Sequence, residues 1–561
     1  MPTEIPSQRM EYVLLLHGFG SEFKEVESGS AAMIIKIPNN VIQQAKAADE
    51  AARSRQFRVG RRGFVGSGLA AATLPFGRVW ADAKDIELPE QLAAIGLDGK
   101  PIALARADIK AFRASLGGKL LLAGDDGYEQ ARKIWNGAFN RHPALIACCA
   151  DSDDVVKTVN FARTQGLLTA VRGGGHSISG QSTCEGGLMI DLSPMKEIRL
   201  DVTGKTAQAQ AGVLLGEFDT KSQAVGLVTT LGTAADTGIA GLTLGGGLGR
   251  LQRKFGLACD NLLSADVVTA DGKLLHVSEH ENADLFWGIR GGGGNFGVVT
   301  RFEYRLHKFG PNLLAGNRAF PLSRARELIP MLLEMMGGAG DDLGLTFDLS
   351  KEPPTPNQPE GSYLEIELIY TGDFKEADRV LASLDKLGKP AFDDIAIKPY
   401  VKAQLGVSGA APPSLPPGLH IYSKSGFVYG NPDKIIDEML RQFESSPAYM
   451  SGMGFSPMGA AVGRVKPDAT AFWNRNASYM LLLHGGWMDA SQDAANIEGG
   501  RRIWQALEPY TKGHYVNAEP NAEEQRLHAT YGGSYPRLVQ LKNKYDPKNL
   551  FRLNANIKPT V

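Results

Sequence analysis

The chain has 561 residues, of which 43% are hydrophobic and 22% are charged, and its formal net charge is −1. Because one ordinary hydrophobic core does not extend over such a length, we expect two or three domains. The balanced charge gives no basic field for nucleic acid or an anionic membrane, and no apolar run of the sequence is long enough to span a bilayer. The 66 glycines cluster in a few places, which indicates tight turns against a ligand.

The N-terminal part of the chain contains a candidate export signal. Residues 1–59 differ in pattern from the remainder of the chain and form a leader of uncertain role. Residues 60–83 combine the pair Arg61-Arg62, a short apolar run and a small-x-small site at Ala81-Asp82-Ala83. Paired arginines before x-Phe-Val are typical of a twin-arginine signal, so we predict a periplasmic or secreted protein. The alternative is a hairpin of a cytoplasmic protein, and a downstream start such as Met33 would remove most of the leader.

After a lead-in over residues 84–138, the chain alternates between strands and helices. Apolar runs predict strands over 144–149, 168–171, 187–192 and 207–211. Helical spacing predicts one helix capped by Ser152 and ended by Gly166, and another over 215–225. Later segments predict helices over 324–336 and 374–387, strands over 363–370 and 479–484, and exposed proline-rich loops over 353–359 and 411–417. The pattern predicts an α+β fold.

Four cysteines, at 148, 149, 184 and 259, lack metal-ligand spacing. We predict buried thiols and no metal site, with one structural disulfide left open.

The first glycine-rich turn follows the strand predicted over 168–171. It reads Arg172-Gly173-Gly174-Gly175-His176-Ser177, and its successive N–H groups suit an anion such as a diphosphate. Arg172 adds positive charge, and His176 stands where a cofactor would lie. Taken alone, this turn is equally consistent with a surface turn that carries an incidental histidine.

Two further glycine-rich loops change that balance. They lie over residues 237–249 and 288–297, again between short strands. Three such loops hold many N–H donors that need acceptors. A large ligand with a diphosphate and a ring system would provide them. The near match to a dinucleotide fingerprint over 245–249 has the wrong spacing for the usual βαβ fold.

Several motifs resemble those of the vanillyl-alcohol oxidase / p-cresol methylhydroxylase (PCMH) superfamily, and specifically its berberine bridge enzyme-like branch. The motifs run in order from about Asn136 to the C-terminus, and they cover 172–177, 256–261, 286–294 and 545–557. The resemblance implies a PCMH-type, two-part FAD-binding domain over 139–311. It also implies a substrate domain over 312–509, with an antiparallel sheet covered by helices, and a C-terminal segment over 510–561 that returns to the FAD domain.

The resemblance also implies an FAD whose 8α-methyl is joined to a ring nitrogen of His176. Relatives that form a second bond use a cysteine where this chain has Ala234, so we predict a single link. Thr237 stands where the family controls oxygen access, which leaves oxidase and dehydrogenase open. The predicted cofactor-binding residues are Arg172, Gly173, Gly174, Gly175, His176, Ser177, Thr237, Gly238, Gly241, Gly245, Gly246, Gly247, Asp260, Asn261, Gly297, Val298, Asn554 and Asn556.

The implied reaction is hydride transfer to flavin N5 from a C–H bond beside a hydroxyl of a sugar, oligosaccharide or other alcohol. O2 is the expected acceptor and gives H2O2. Tyr515 is the candidate base and Asn517 its partner in a Tyr-x-Asn element, with Tyr531 and Tyr535 as alternatives. Ala518 replaces a second tyrosine, and the strand over 479–484 is leucine-rich where relatives present a base. A dehydrogenase with another acceptor and a flavin-binding protein without turnover remain the rival hypotheses.

Overall fold

The computed structural model describes residues 88–352, 360–405, 418–447, 450–519 and 524–561. The predicted leader, the export signal and both proline-rich loops lie outside the described residues. Within them, no helix is long and apolar enough to cross a bilayer. All four cysteines are free thiols.

The first sheet carries the predicted glycine turn at one strand end. Its four strands lie in the order Lys119–Leu121, Leu145–Cys148, Leu188–Asp191 and Thr169–Arg172, and the last three run parallel. A hairpin of Gln91–Ile95 and Pro101–Ala105 precedes it. The accompanying helices are Arg106–Ser115, Tyr128–Ala131 and Ser152–Gln165.

The helix Ser152–Gln165 ends at Gly166 as predicted, because that glycine adopts the left-handed conformation at φ 64°. Its N-cap, however, is Asp151, whose carboxylate accepts from the Asp154 N–H. The prediction of Ser152 is wrong by one residue, since both side chains are good caps and the Ser152 hydroxyl bonds Thr300 instead.

The second sheet is antiparallel and shares a core with the first. Its strands lie in the order Leu274–Ser278, Leu262–Thr269, Gly297–Arg305, Thr206–Gln210 and Ile198–Asp201. Leu227–Val228 pairs separately with His307–Lys308. The helices of this part are Leu215–Gln223, Ile239–Leu244, Gln252–Phe255, Ala283–Ile289 and the 3-10 turn Ala258–Asp260.

An eight-stranded antiparallel sheet forms the other half of the molecule. Its order is Phe392–Asp393, Asn312–Pro321, Gly361–Tyr370, Leu343–Glu352, Met450–Pro457, Tyr479–Trp487 and His420–Val428, with Ala396–Pro399 also pairing with the second of these. One face carries alternate apolar residues such as Leu345, Phe347 and Leu481, which are buried against helices. Those helices are Ala325–Gly337, Ala377–Asp385, Asp433–Phe443 and Asp493–Leu507. The opposite face is left for the site.

Shorter elements complete the second half and the tail. Two helices, Tyr400–Gln404 and Ala460–Arg464, flank the sheet, and the 3-10 turns are Leu322–Arg324, Phe374–Glu376, Ala490–Gln492, Glu508–Tyr510 and Gly532–Ser534. The tail helices Glu524–Tyr531 and Tyr535–Tyr545 pack on the first core. There the buried ammonium of Lys542 lies 2.7 Å from Asp546, whose carboxylate accepts the N–H groups of Leu550 and Phe551. The fold is therefore α+β, with a two-part domain, a helix-covered antiparallel sheet and a returning tail.

Candidate cofactor and substrate site

The first glycine turn meets the second loop through bare backbone. A Cβ atom on Gly174 would lie 2.5 Å from the Cα of Gly238, and one on Gly238 would lie 2.5 Å from the Gly174 nitrogen. No Cβ atom tolerates such a contact, so both positions require glycine. The close approach brings the turn that holds His176 against the start of the helix Ile239–Leu244.

The His176 imidazole is held on two sides. It stacks on the Trp135 ring, with centroids 4.3 Å apart and planes 21° apart, and the Trp135 backbone N–H donates to the Gly175 carbonyl. Its Nε2 atom lies 3.4 Å from Oδ1 of Asp236. The sequence motifs did not single out Trp135 or Asp236. Trp135 lies outside the glycine turns, and Asp236 belongs to none of the motifs, although it directly precedes Thr237.

A cavity of about 470 Å³ opens beside His176. The three glycine loops, the tail and the free face of the eight-stranded sheet all contribute to its wall. Among the residues predicted from sequence, those that line it are Gly173, Gly174, Gly175, His176, Ser177, Thr237, Gly238, Gly241, Gly297, Val298, Tyr515, Asn517 and Asn554.

Three predicted polar residues do not line this cavity. Arg172 turns away and donates to the Ala131 carbonyl at 3.0 Å, with Asp191 at 3.4 Å. Asp260 instead forms a buried ion pair with Arg475 at 2.6 Å. The Asn261 amide donates to two backbone carbonyls of the preceding turn. Each of these side chains is used by protein partners, and its role in cofactor binding stays a prediction.

Four further predicted residues also lie outside the lining. A Cβ on Gly245 would strike the Asn517 side chain at 2.2 Å, and Cβ atoms on Gly246 and Gly247 would strike Phe472 and Ala258. The middle of the second loop therefore packs inward against protein. Asn556 does not reach the cavity either, although its Oδ1 is buried without a hydrogen bond inside the described chain.

The lining carries two marks of a missing ligand. Ser182 Oγ and Asn554 Oδ1 are buried without a hydrogen-bond partner in the described residues. Such atoms each cost roughly 1–3 kcal/mol unless a ligand satisfies them. In addition, Cβ atoms on Gly241 and Gly294 would meet nothing within 4 Å, so packing does not explain why these lining positions are glycine. Both marks fit a large polar cofactor such as FAD.

Tyr515 reaches the cavity from the segment before the tail helices. Its phenol oxygen accepts from the Leu248 N–H at 3.1 Å and from the Asn517 amide at 3.0 Å. Burial raises its pKa, and the two donors oppose that shift. Asn517 also donates to the Leu242 carbonyl, which fixes its amide. Tyr531 and Tyr535, the alternatives, do not line the cavity.

The free face of the eight-stranded sheet forms the opposite wall. On the leucine-rich strand, Met480 and Leu482 face the cavity, while Leu481 and Leu483 pack on the helices. The other sheet residues in the lining are Gly344, Thr346, Glu367, Ile369, Ser456 and Pro457. Arg250 joins the two halves through an ion pair with Glu367 at 2.7 Å. No sequence motif signals these strand residues.

Beyond this apolar part, the same sheet face becomes polar. Ser350, His484 and Ser423 lie in one cross-strand row through Gly452, and we call these three residues the polar row. Ser350 Oγ, His484 Nδ1 and Ser423 Oγ are all buried without a partner in the described chain, and none of the three residues is in the cavity lining itself. Asp348 lies one step nearer the cavity, and burial, with help from neighbouring carboxylates, raises its pKa to about 7.

This fold and this lining define an FAD-binding α+β flavoprotein, and comparison with known proteins gives its family. Residues 143–278 match a family model described as "FAD binding domain", and residues 514–558 match "Berberine and berberine like". An FAD-linked oxidoreductase of Dictyostelium discoideum is 32% identical over 460 residues, which cover 80% of this chain and 97% of the relative.

Two further relatives agree. (R)-6-hydroxynicotine oxidase of Paenarthrobacter nicotinovorans is 31% identical over 461 residues, covering 79% of this chain and 97% of that protein. The crystal structure of 6-hydroxy-D-nicotine oxidase from Arthrobacter nicotinovorans superposes with a TM-score of 0.72 at 28% identity, over 79% of this chain and 98% of that one. The chain therefore belongs to the berberine bridge enzyme-like family of FAD-linked oxidoreductases.

Proposed function

We propose that the protein oxidises a C–H bond beside a hydroxyl of an alcohol or sugar, with O2 as the acceptor that forms H2O2. FAD, when bound, supplies the hydride acceptor. The observation that carries this proposal is one continuous cavity, which joins the glycine loops and Tyr515 to sheet residues that include Thr346 and Glu367. The cofactor and a hydroxylated substrate can therefore both lie beside the Tyr515 phenol.

Tyr515 is the proposed proton acceptor. Because the Leu248 N–H and the Asn517 amide both donate to its oxygen, they stabilise the phenolate that forms once the proton leaves. Tyr515 accepts the substrate proton only as the phenolate; burial raises its pKa and opposes that form, and the two donors favour it. Asn517 positions the phenol and holds no charge itself.

The polar row supports a hydroxylated substrate. Serine hydroxyls and a neutral imidazole both donate and accept, and burial lowers the pKa of His484, which keeps its ring neutral. Unpaired neutral groups of this kind match substrate hydroxyls better than they match a charged ligand. The apolar surface of Met480 and Leu482 lies between this row and the reacting end.

A single covalent bond from His176 to the flavin belongs to the same proposal. Ala234 lines the cavity where a second, cysteinyl bond would form in relatives, and alanine cannot make it. Cys184 and Cys259 are fully buried and do not line the cavity, and burial raises the pKa of Cys184 to about 12. Neither thiol is available as a substitute.

The direct test is anaerobic flavin reduction against a panel of oligosaccharides, hydroxylated aromatics and simple alcohols. We expect at least one member to bleach the flavin, and readmission of air to restore the colour with release of H2O2. Slow reoxidation by air with fast reoxidation by an artificial acceptor would indicate a dehydrogenase. A flavin that no compound reduces would indicate a binding protein without turnover.

An amine is the second candidate substrate, because (R)-6-hydroxynicotine oxidase is among the relatives. The same panel should therefore contain cyclic amines. Reduction by amines alone would contradict the assignment of a hydroxylated substrate and would leave the FAD chemistry intact.

We also propose export through the twin-arginine-like segment, on the strength of Arg61-Arg62 and the following apolar run. Fractionation of cells that express the full chain tests this. We expect the wild type outside the cytoplasm and the double lysine variant, R61K/R62K, inside it. Equal distribution of both would contradict the proposal.

A further inference from the structure

The carboxylate beside His176 has no role in the reaction proposed above. Asp236 Oδ1 lies 3.4 Å from His176 Nε2, and both side chains are largely buried, at 12% and 15% exposure. Nε2 makes no hydrogen bond in the described chain. The Asp236 carboxylate is its charged neighbour, at ion-pair distance. Trp135 stacks on the ring and fixes its plane.

This geometry distinguishes the two ring nitrogens. A neutral imidazole carries one N–H and one lone pair, and only the nitrogen with the lone pair can form a new bond. A carboxylate next to one nitrogen favours the tautomer with the proton on that nitrogen. With the proton on Nε2, the lone pair is on Nδ1.

We propose that Asp236 is the positioning residue for flavin attachment, because it holds the proton of His176 on Nε2 and leaves Nδ1 to bond the 8α carbon. This inference rests on the single His176 link proposed above. In the step, the Nδ1–C bond forms, the 8α methyl loses one proton, and Nε2 gives its proton to Asp236. The two electrons enter the flavin, and dioxygen takes them up with the two released protons to form H2O2.

The test measures covalent attachment and needs no substrate. Wild type and the variants D236N, D236E and D191N are expressed, loaded with FAD in air and precipitated with acid, and the flavin in pellet and supernatant is compared. Asp191 is the matched control, since it makes an ion pair of equal length, 3.4 Å, with Arg172 at the start of the same turn. H176A gives the value without any link.

We expect D236N to bind FAD but to form the covalent bond at least about tenfold more slowly, a loss typical of a removed outer partner. D236E should restore much of the rate, and D191N should match the wild type. Full linkage of D236N at the wild-type rate would overturn the inference, as would equal losses in D236N and D191N. D236N that binds no FAD would overturn it too, because Asp236 would then serve binding.

The result for the wild type distinguishes a failure of this inference from a failure of the proposals on which it rests. A linked wild type with a linked D236N contradicts the role of Asp236 alone. An unlinked wild type contradicts both the His176 bond and the role of Asp236, whereas flavin reduction by substrates tests the proposed reaction independently of either.

Discussion

The two walls of the cavity differ in whether backbone or side chains form them. The cofactor wall is largely backbone, because glycine loops approach closely enough for Gly174 and Gly238 to touch. The substrate wall consists of side chains on a sheet, with Met480 and Leu482 beside the polar row. A backbone wall binds one ligand shape through fixed amides. A side-chain wall can be changed one residue at a time, so we expect the substrate specificity of this chain to depend on it.

The largest effect is expected when a side chain fills the space along the cofactor wall. Gly241 lines the cavity, and a Cβ atom there would meet nothing within 4 Å beyond its own stretch of helix. We expect G241L to fold, since leucine is a better helix former than glycine, but to retain almost no flavin. Flavin absorbance per protein, with thermal unfolding as a check of folding, measures this.

Gly337 offers the matched control for that variant. It is also helical, and a Cβ atom there would meet nothing within 4 Å, but it is exposed and is not in the lining. G337L should keep the full flavin content. If G241L kept it as well, the glycine loops would not form the cofactor wall.

The next effect concerns the phenol between the walls. Y515F should lower kcat by about 10²–10⁴, the usual contribution of a positioned acid–base group, while the flavin content is unchanged. Y531F is the control, because Tyr531 also has a buried hydroxyl, which donates to the Gly292 carbonyl, but it lies outside the lining. Equal losses in both variants would remove Tyr515 from the reaction.

A smaller effect is expected on the substrate wall. S350A and S423A should each raise KM for a polyhydroxylated substrate by roughly fivefold, since a lost hydrogen bond is worth about 1 kcal/mol, and should leave kcat and a substrate with a single hydroxyl unaffected. Steady-state kinetics measures both parameters. S264A, which alters a serine on the other sheet, is the control. A change in kcat alone would place the polar row elsewhere in the mechanism.

The smallest effect on function is expected from Asp219, a carboxyl that is not in the cavity lining. Asp219 is fully buried, accepts from Gln404 at 2.9 Å, and its pKa is raised to about 7 by burial. Because the folded state holds this proton more tightly than the unfolded state, Asp219 costs stability as the pH rises from about 4 to about 7. D219N should remove that cost.

We therefore expect D219N to gain about 2–3 kcal/mol of unfolding free energy over the wild type at pH 8 relative to pH 5, at 1.36 kcal/mol per pKa unit. Denaturant unfolding at the two pH values measures it, and flavin content should not change. A gain of equal size at both pH values would show that Asp219 does not titrate in this range.

The difference between the cofactor wall and the substrate wall also explains which features could be predicted from the sequence. The turn 172–177 and the loops 237–249 and 288–297 are local, and their occurrence together in one chain predicted that they enclose a ligand. The motif did not separate glycines that face the cavity, such as Gly241, from those that pack on protein, such as Gly246. That distinction depends on Phe472, which lies more than two hundred residues further along the chain.

The substrate wall could not be predicted, for a related reason. Ser350, Ser423 and His484 become neighbours only through the register of four strands, and no local pattern encodes that register. The strand predicted over 479–484 is present as Tyr479–Trp487, but the sequence did not indicate which of its faces lies towards the cavity. Asp236 was hidden for the same reason, since its importance comes from the spatial position of His176.

The most direct measurement is the absorbance of the purified wild type before and after acid precipitation, followed by mass spectrometry of the flavin peptide. We predict a yellow protein whose colour stays in the pellet, with one flavin on the peptide that contains His176. A colourless protein that takes up no FAD on reconstitution would contradict the cofactor wall itself. Flavin on a cysteine peptide would contradict the single histidyl link.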